Sequence, residues 1–314
     1  MVKRASSGSG AAIVFMSVTL IFSGIVGTVQ GDDEPTDFEQ VDRSQSICCP
    51  PAPKTLLRWA RAPDPGRDDD SEDVIVTDRP DFTEASSTVG LNVFQVEMGY
   101  TYSHDDNAGV QINTHSYPET LYRIGLFAEW FELRIAYNYL NEHTDDPVAG
   151  RSRSSGSDDL YLGAKLWLTE QSGWLPEMAI LPQMFVPSGS KEFTNDEMLP
   201  GVNWLYSWEV NDCLSVGGST QVNRVRDETG HFYAETAQSA AMSLSLTEQL
   251  GAYTEYFGFY PSGAIEPGVG PEHYLNGGLS YLWNNDVQFD VRVGYGLNRN
   301  AADFFTGTGL SVRF

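Results

Sequence analysis

From Val93 to Phe314 one pattern recurs: short segments in which apolar and polar side chains alternate, each closed by a turn-forming cluster. Phe94, Val96, Met98, Tyr100 and Tyr102 alternate with Gln95, Glu97, Gly99 and Thr101. Phe131, Leu133, Ile135, Tyr137 and Tyr139 do so with Glu132, Arg134, Ala136 and Asn138, and the run from Val287 to Leu297 repeats the arrangement. The final segment divides in the same way, with Phe304, Thr306, Thr308, Leu310, Val312 and Phe314 on one side and Phe305, Gly307, Gly309, Ser311 and Arg313 on the other. A period of two is the signature of a strand with one apolar face. It restricts the chain to an all-β architecture, either a sandwich or a closed barrel.

Read this way, the sequence predicts twelve strands: 93–104, 116–127, 131–141, 158–169, 177–187, 199–209, 213–226, 232–247, 250–260, 272–283, 286–297 and 303–314. Segments five, nine and ten alternate least cleanly, and Pro182 in the fifth forfeits a ladder hydrogen bond. Turns at Glu129-Trp130, Val210-Asn211-Asp212, Glu248-Gln249 and Asn284-Asn285 are short. The opposite connections, 105–115, 142–157, 188–198 and 261–271, are long and rich in Gly, Ser, Asp and Pro. Long and short connections alternate, so the long ones collect at one end of the sheet. Outer-membrane barrels have that asymmetry, whereas a Greek-key sandwich has no reason for it. An even strand number puts both chain ends on the short-turn side, the periplasmic side in such barrels.

Aromatic residues gather on the apolar face near strand ends: Phe94, Tyr100, Tyr102, Phe131, Tyr137, Tyr139, Trp204, Trp208, Tyr281, Trp283, Tyr295 and Phe314. Such girdles mark the two membrane interfaces of a lipid-facing barrel. The expected fold is therefore an all-β transmembrane antiparallel barrel of twelve strands, with Phe314 facing lipid at the periplasmic girdle.

The N-terminal third is different. Lys3 and Arg4 precede an apolar stretch, Ala11 to Val29, and Val29-Gln30-Gly31 offers small residues at a cleavage point. Residues 1–31 thus read as a signal peptide, with an uncleaved anchor as the alternative. Without them the formal charge falls from −24 to 17 − 43 = −26, which excludes a nucleic-acid partner, since phosphate contacts rest on clustered Lys and Arg. Residues 32–73 are acidic and proline-rich, a composition that predicts disorder. Within them, Leu56, Leu57 and Trp59 could form a short docking turn. Cys48, Cys49 and Cys213 show no disulfide or metal spacing.

Residues 74–92 connect leader and barrel. They contain Thr77-Asp78-Arg79-Pro80-Asp81-Phe82-Thr83-Glu84, followed by Gln95-Val96-Glu97-Met98-Gly99-Tyr100 on the first strand. This pair of motifs, T-D-R-P-x-x-T-E and then Q-x-E-x-G-Y, resembles the opening of an outer-membrane barrel family labelled "transporter" or "putative MetA-pathway of phenol degradation". The resemblance extends over about residues 74–314 and is specific over about 25 of them. It implies an outer-membrane channel for small molecules, hydrophobic or aromatic ones among them. The final aromatic residue, Phe314, is similar to the C-terminal signature by which the assembly machinery recognises bacterial outer-membrane barrels.

The charges Asp78, Arg79, Asp81 and Glu84 suit a segment folded into the lumen, with Arg79 on a wall carboxylate and Asp81 or Glu84 on a wall arginine. The alternative is a solvated turn. Alternation directs Glu97, Arg123, Glu132, Arg134 and Lys165 on strands one to four, and Asp290, Arg292 and Arg313 on strands eleven and twelve, toward the lumen as one mixed-charge wall. Strands seven, eight and ten contribute small or neutral groups. All five histidines (His104, His115, His143, His231 and His273) fall at the long-loop end, beside acidic pairs but without ligand spacing, so no metal or cofactor is expected. The expected partners are outer-membrane lipid, the barrel-assembly machinery and an unidentified small solute. Two rival readings have no pore: a structural barrel, and a hydrolase whose best serine–histidine pairing would join His143 or His231 to the loop serines Ser152, Ser154 and Ser155.

Overall fold

A computed structural model describes residues 55–57, 74–227 and 229–314. The segment expected to be a signal peptide, nearly all of the expected leader, Trp59, Cys48 and Cys49 lie outside the described residues. Thirteen strand segments follow in order: β1 (Phe94–Asn107), β2 (Val110–Gly125), β3 (Phe131–Asp146), β4 (Gly150–Ser157), β5 (Leu160–Thr169), β6 (Glu177–Val186), β7 (Leu199–Asn211), β8 (Leu214–Arg226), β9 (Phe232–Ser245), β10 (Leu250–Ser262), β11 (Glu272–Asn284), β12 (Val287–Gly296) and β13 (Phe304–Arg313). Consecutive strands pair antiparallel except β4 and β5, which both pair with β3, and β1 also pairs with β13, from Gln95↔Arg313 to His104↔Phe304. The sheet is therefore a closed cylinder, in which, among the described residues, β4 alone has a strand partner on one side only, β3.

The wall has twelve strands, because β4 and β5 are two halves of one. The lower part of β3, Phe131–Ala136, pairs with β5, and its upper part, Tyr139–Asp146, pairs with β4. The break falls at Asp158-Asp159. There the Asp159 carboxylate accepts the backbone N–H groups of Ser188, Gly189 and Asn195 at 2.9–3.1 Å and so ties the 187–198 connection across the gap.

Two expectations about connections fail. Residues 105–115 and most of 142–157 are not loops: β1–β2 and β3–β4 continue as ladders to tight turns at Ala108-Gly109 and near Pro147–Ala149. Ala108 and Gly109 both take positive φ, 55° and 86°, as a two-residue hairpin turn of the primed type requires. The sequence hides these extensions because both of their faces are polar, so no alternation marks them. Among the longer connections at that end are 187–198 and 263–271, while 212–213, 246–249 and 285–286 close the other end.

Opposite Pro182 the β5–β6 register is continuous but unpaired. Bridges run from Leu160↔Val186 to Gly163↔Gln183 and resume at Leu166↔Ile180. Proline lacks the N–H that this part of the ladder needs.

The two faces sort as a membrane barrel demands. Val291 is 50% exposed and Trp283 67%, whereas Glu97, Arg123, Glu132 and Lys165 are fully buried inside the cylinder. At the short-turn end Phe94 stacks on Tyr122 at 6.1 Å and packs beside Phe314 at 6.0 Å, and the backbones of Phe94 and Phe314 exchange hydrogen bonds. Tyr295 and Phe304 meet at 5.3 Å toward the opposite end. Trp204 stands near the middle of β7, between the girdles. Inside, Ala179, Leu181 and Leu205 form a small apolar cluster between β6 and β7, so the lumen is polar only in part. Leu56 and Leu57 donate backbone hydrogen bonds to the carbonyls of Trp167 and Leu168, docking that short piece at the short-turn rim.

Candidate functional site: a chain segment across the lumen

The segment that precedes β1 lies across the bore. Ile75 donates its N–H to the Asn285 carbonyl at the short-turn rim. From there to Val89 the segment bonds β12 through Arg79, β9 and β10 through Thr83, β6 and β7 through Ser86, and β3 through Val89. Partners on opposite sides of a cylinder are reachable only from inside it.

Its main anchor is Glu97, a buried carboxylate on β1. Glu97 accepts the backbone N–H of Asp78 at 3.1 Å, that of Arg79 at 3.0 Å, and donors from Gln95 and Arg123 at 2.9 and 3.1 Å. A second wall carboxylate, Glu255 on β10, does the same further on. It accepts the N–H groups of Phe82 and Thr83, both at 2.7 Å, the Thr83 hydroxyl at 2.5 Å and the Asn276 amide at 3.0 Å. Because a carboxylate has several lone-pair sites, each holds a bend of irregular backbone whose N–H groups have no ladder to join.

Side chains of the segment enter the wall's ion pairs. Asp78 meets Arg134 at 2.6 Å, Lys165 at 3.2 Å and Arg123 at 3.4 Å. Glu132 bridges Arg123 at 2.9 Å and Arg134 at 3.1 Å, and Arg134 also holds Glu84 at 3.0 Å. Buried charges persist only when paired and hydrogen-bonded, and here Asp78 and Glu84 supply anions for cations that the wall alone would leave short. Arg79 spans the far side, reaching Glu119 at 2.8 Å and Asp290 at 3.3 Å. It fits because Gly99 and Gly309, register partners on β1 and β13, leave the space: a Cβ on Gly99 would lie 2.4 Å from the guanidinium carbon, and one on Gly309 2.2 Å from Nε. Arg292 donates to the Pro80 carbonyl at 3.0 Å and to the Thr101 hydroxyl at 2.7 Å.

Two residues expected in this network stand apart. Among the described residues Asp81 makes no salt bridge. It faces the cavity above the segment. Arg313 pairs with Asp286 at 2.8 Å in the β11–β12 turn, because the last wall residue of β13 is already at the rim. Conversely, sequence reasoning missed Glu255, Glu119 and Gln95 as members of the network. Glu255 sits where β10 has aromatic residues on both faces (Tyr253, Tyr256, Phe257 and Phe259), which blurs the alternation. Glu119 sits in a bulge, where the β2–β3 register shifts between Tyr117 and Thr120. Its φ of 46° turns the carboxylate inward.

Above the segment a cavity of about 890 Å³ opens. One side is aromatic: Phe82 stacks on Phe257 at 4.6 Å, Phe257 on Tyr274 at 4.8 Å, and Phe259 meets Phe82 edge-on at 5.4 Å. The histidines are engaged elsewhere. His115 bonds Tyr100 at 2.7 Å and contacts His143, His104 bonds Asn113, and His273 bonds Tyr256 at 2.7 Å. Ser152, Ser154 and Ser155 lie on β4, with Arg153 rather than a serine opposite His143. Among the described residues no three His, Cys, Asp or Glu side chains converge to hold a metal.

The COG4313 outer membrane channel from Pseudomonas putida F1 has the same fold, with a TM-score of 0.58 and 10% identity over 73% of this chain and 98% of that one. Weaker likenesses include the transport unit of the autotransporter AIDA-I from Escherichia coli (0.49, 10% identity, 74% and 93% covered) and the CymD monoaromatic hydrocarbon channel (0.37, 9% identity, 72% and 88% covered). No curated protein is detectably similar in sequence. The family match is extensive: it covers residues 77–314, so it takes in the luminal segment from Thr77 onward as well as every wall strand. The chain belongs to the family described as "Putative MetA-pathway of phenol degradation".

Proposed function

We propose that the protein is an outer-membrane channel in which residues 74–92 form a plug, and that small molecules, hydrophobic or aromatic ones included, pass it by diffusion or facilitated diffusion. One observation carries the reading: a segment lies across the bore, held by side-chain contacts, beneath a cavity large enough for a small solute. A barrel needing only rigidity could fill its interior from its own wall, as eight-stranded barrels do. In this orientation the short turns and both chain ends are periplasmic, and Phe314, paired to Phe94 at that rim, is the residue offered to the assembly machinery.

Single-channel conductance in planar bilayers tests the reading, with the refolded mature chain compared with a variant deleted for residues 32–90. The channel reading expects small or rare steps from the full chain and larger ones after deletion. Silence from both, with heat-modifiable migration showing folded barrels, would count against transport and favour the structural reading.

A further inference from the structure

We propose that the cavity above the luminal segment is a binding site for a small organic cation with an aromatic or alkyl body. The inference rests on the channel reading for its biological meaning and names the solute class. Register assembles the site. On β10, Phe257 and Phe259 point inward; across β11 they face Tyr274 and Glu272, and Asn276 follows opposite Glu255. On β9, Glu235 lies opposite Pro261, one inward position beyond Phe259. Phe257 and Tyr274 are buried as a support, while Phe82, Phe259 and Phe305 are half-buried and line the cavity. Their apolar surface would take a hydrocarbon body, and an aromatic face attracts a cation.

The charge pattern sets the sign. Asp78, Glu84, Glu97, Glu132, Glu119 and Asp290 each meet an arginine or lysine. Asp81, Asp158 and Glu235 line the cavity, and none has a cationic side chain within 4.0 Å among the described residues. The arginines that line the cavity already have partners: Arg79 in Glu119 and Asp290, Arg292 in the Pro80 carbonyl and the Thr101 hydroxyl with only its Nε unmatched, and Arg224 on the face of Phe232 at 3.7 Å. The carboxylates without a cation set the sign, and Asn276 adds an acceptor that a bound donor can meet, as the Arg292 Nε adds a donor. Asn276 is 4% exposed, its amide nitrogen is fixed on Glu255, and its Oδ1 has no partner. An unmet buried acceptor calls for a donor, which an ammonium N–H supplies and a carboxylate does not.

Equilibrium titration of the refolded mature chain in non-ionic micelles tests this with three ligands of one shape: benzylammonium, benzyl alcohol and benzoate. Benzylammonium should bind about tenfold or more tightly than benzyl alcohol, and benzoate weakest. The double variant Asp81→Asn, Glu235→Gln should lose about tenfold for benzylammonium, with benzyl alcohol changing less than about twofold. Should that variant fail to show heat-modifiable folding, Glu235→Gln alone carries the test from the cavity rim. Equal or tighter binding of the alcohol or the acid, or a folded variant with unchanged cation affinity, overturns the inference. Cation binding by a chain that conducts nothing would refute the channel reading and leave this one standing. Conduction without cation preference would do the reverse.

Discussion

Arg79 shows how one side chain depends on residues far away in sequence. Its guanidinium occupies the space over Gly99 and Gly309 and reaches Glu119 and Asp290. A methyl group at either glycine would overlap it. Gly99→Ala should therefore expel Arg79 from its site while the barrel still folds, since an alanine suits a strand. In bilayers Gly99→Ala and Arg79→Ala should then enlarge conductance alike, and a double variant should add little to either single one; full additivity would show that the two residues act separately. Breaking a buried pair by removing one partner costs about 3–5 kcal/mol, so Glu97→Gln, which weakens the carboxylate gripping two backbone N–H groups and Arg123, should lower the heat-modification temperature more than either. This chemistry was half legible. That an arginine inside a polar barrel needs a wall carboxylate follows from charge alone, and the alternation gives Asp290 its inward direction. Glu119 was illegible because its direction depends on a bulge, and Glu255 because aromatic residues flank it on both faces.

At the level of the strands, alternation read from the sequence places nearly every wall segment within a few residues, because lipid on one side and a polar lumen on the other enforce it. It fails where neither side is apolar, as in the outer parts of β1–β4, and it does not register that β4 and β5 are two halves of one strand. The inside/outside assignment makes a sharp expectation. Val291 faces outward at 50% exposure, and Gln288, three positions away, faces inward and donates to the Thr77 hydroxyl at 2.7 Å. An arginine on the lipid face near the bilayer midplane costs about 2–4 kcal/mol, so Val291→Arg should block stable insertion. Gln288→Arg should insert, at the expense of its contact with the luminal segment. Equal yields of folded barrel from both variants, measured by heat-modifiable migration after refolding into vesicles, would overturn the register.

Across the whole molecule, the two motifs that stand close together in the sequence are the two sides of one contact: Asp78 and Arg79 of the first lie on Glu97 and Gly99 of the second. A closed cylinder holds its own preceding chain as a ligand. The claim is tested most directly by Ser86 and Ser207, one on the segment and one on β7, whose hydroxyls lie 2.7 Å apart. Both are replaced by cysteine in a chain whose Cys48, Cys49 and Cys213 are serine, and the folded barrel is oxidised in micelles before its free thiols are counted. A luminal segment predicts rapid loss of both thiols to an intramolecular disulfide, with conductance staying low. Two free, reactive thiols in a folded barrel under the same oxidant would place the segment outside the lumen and contradict the account.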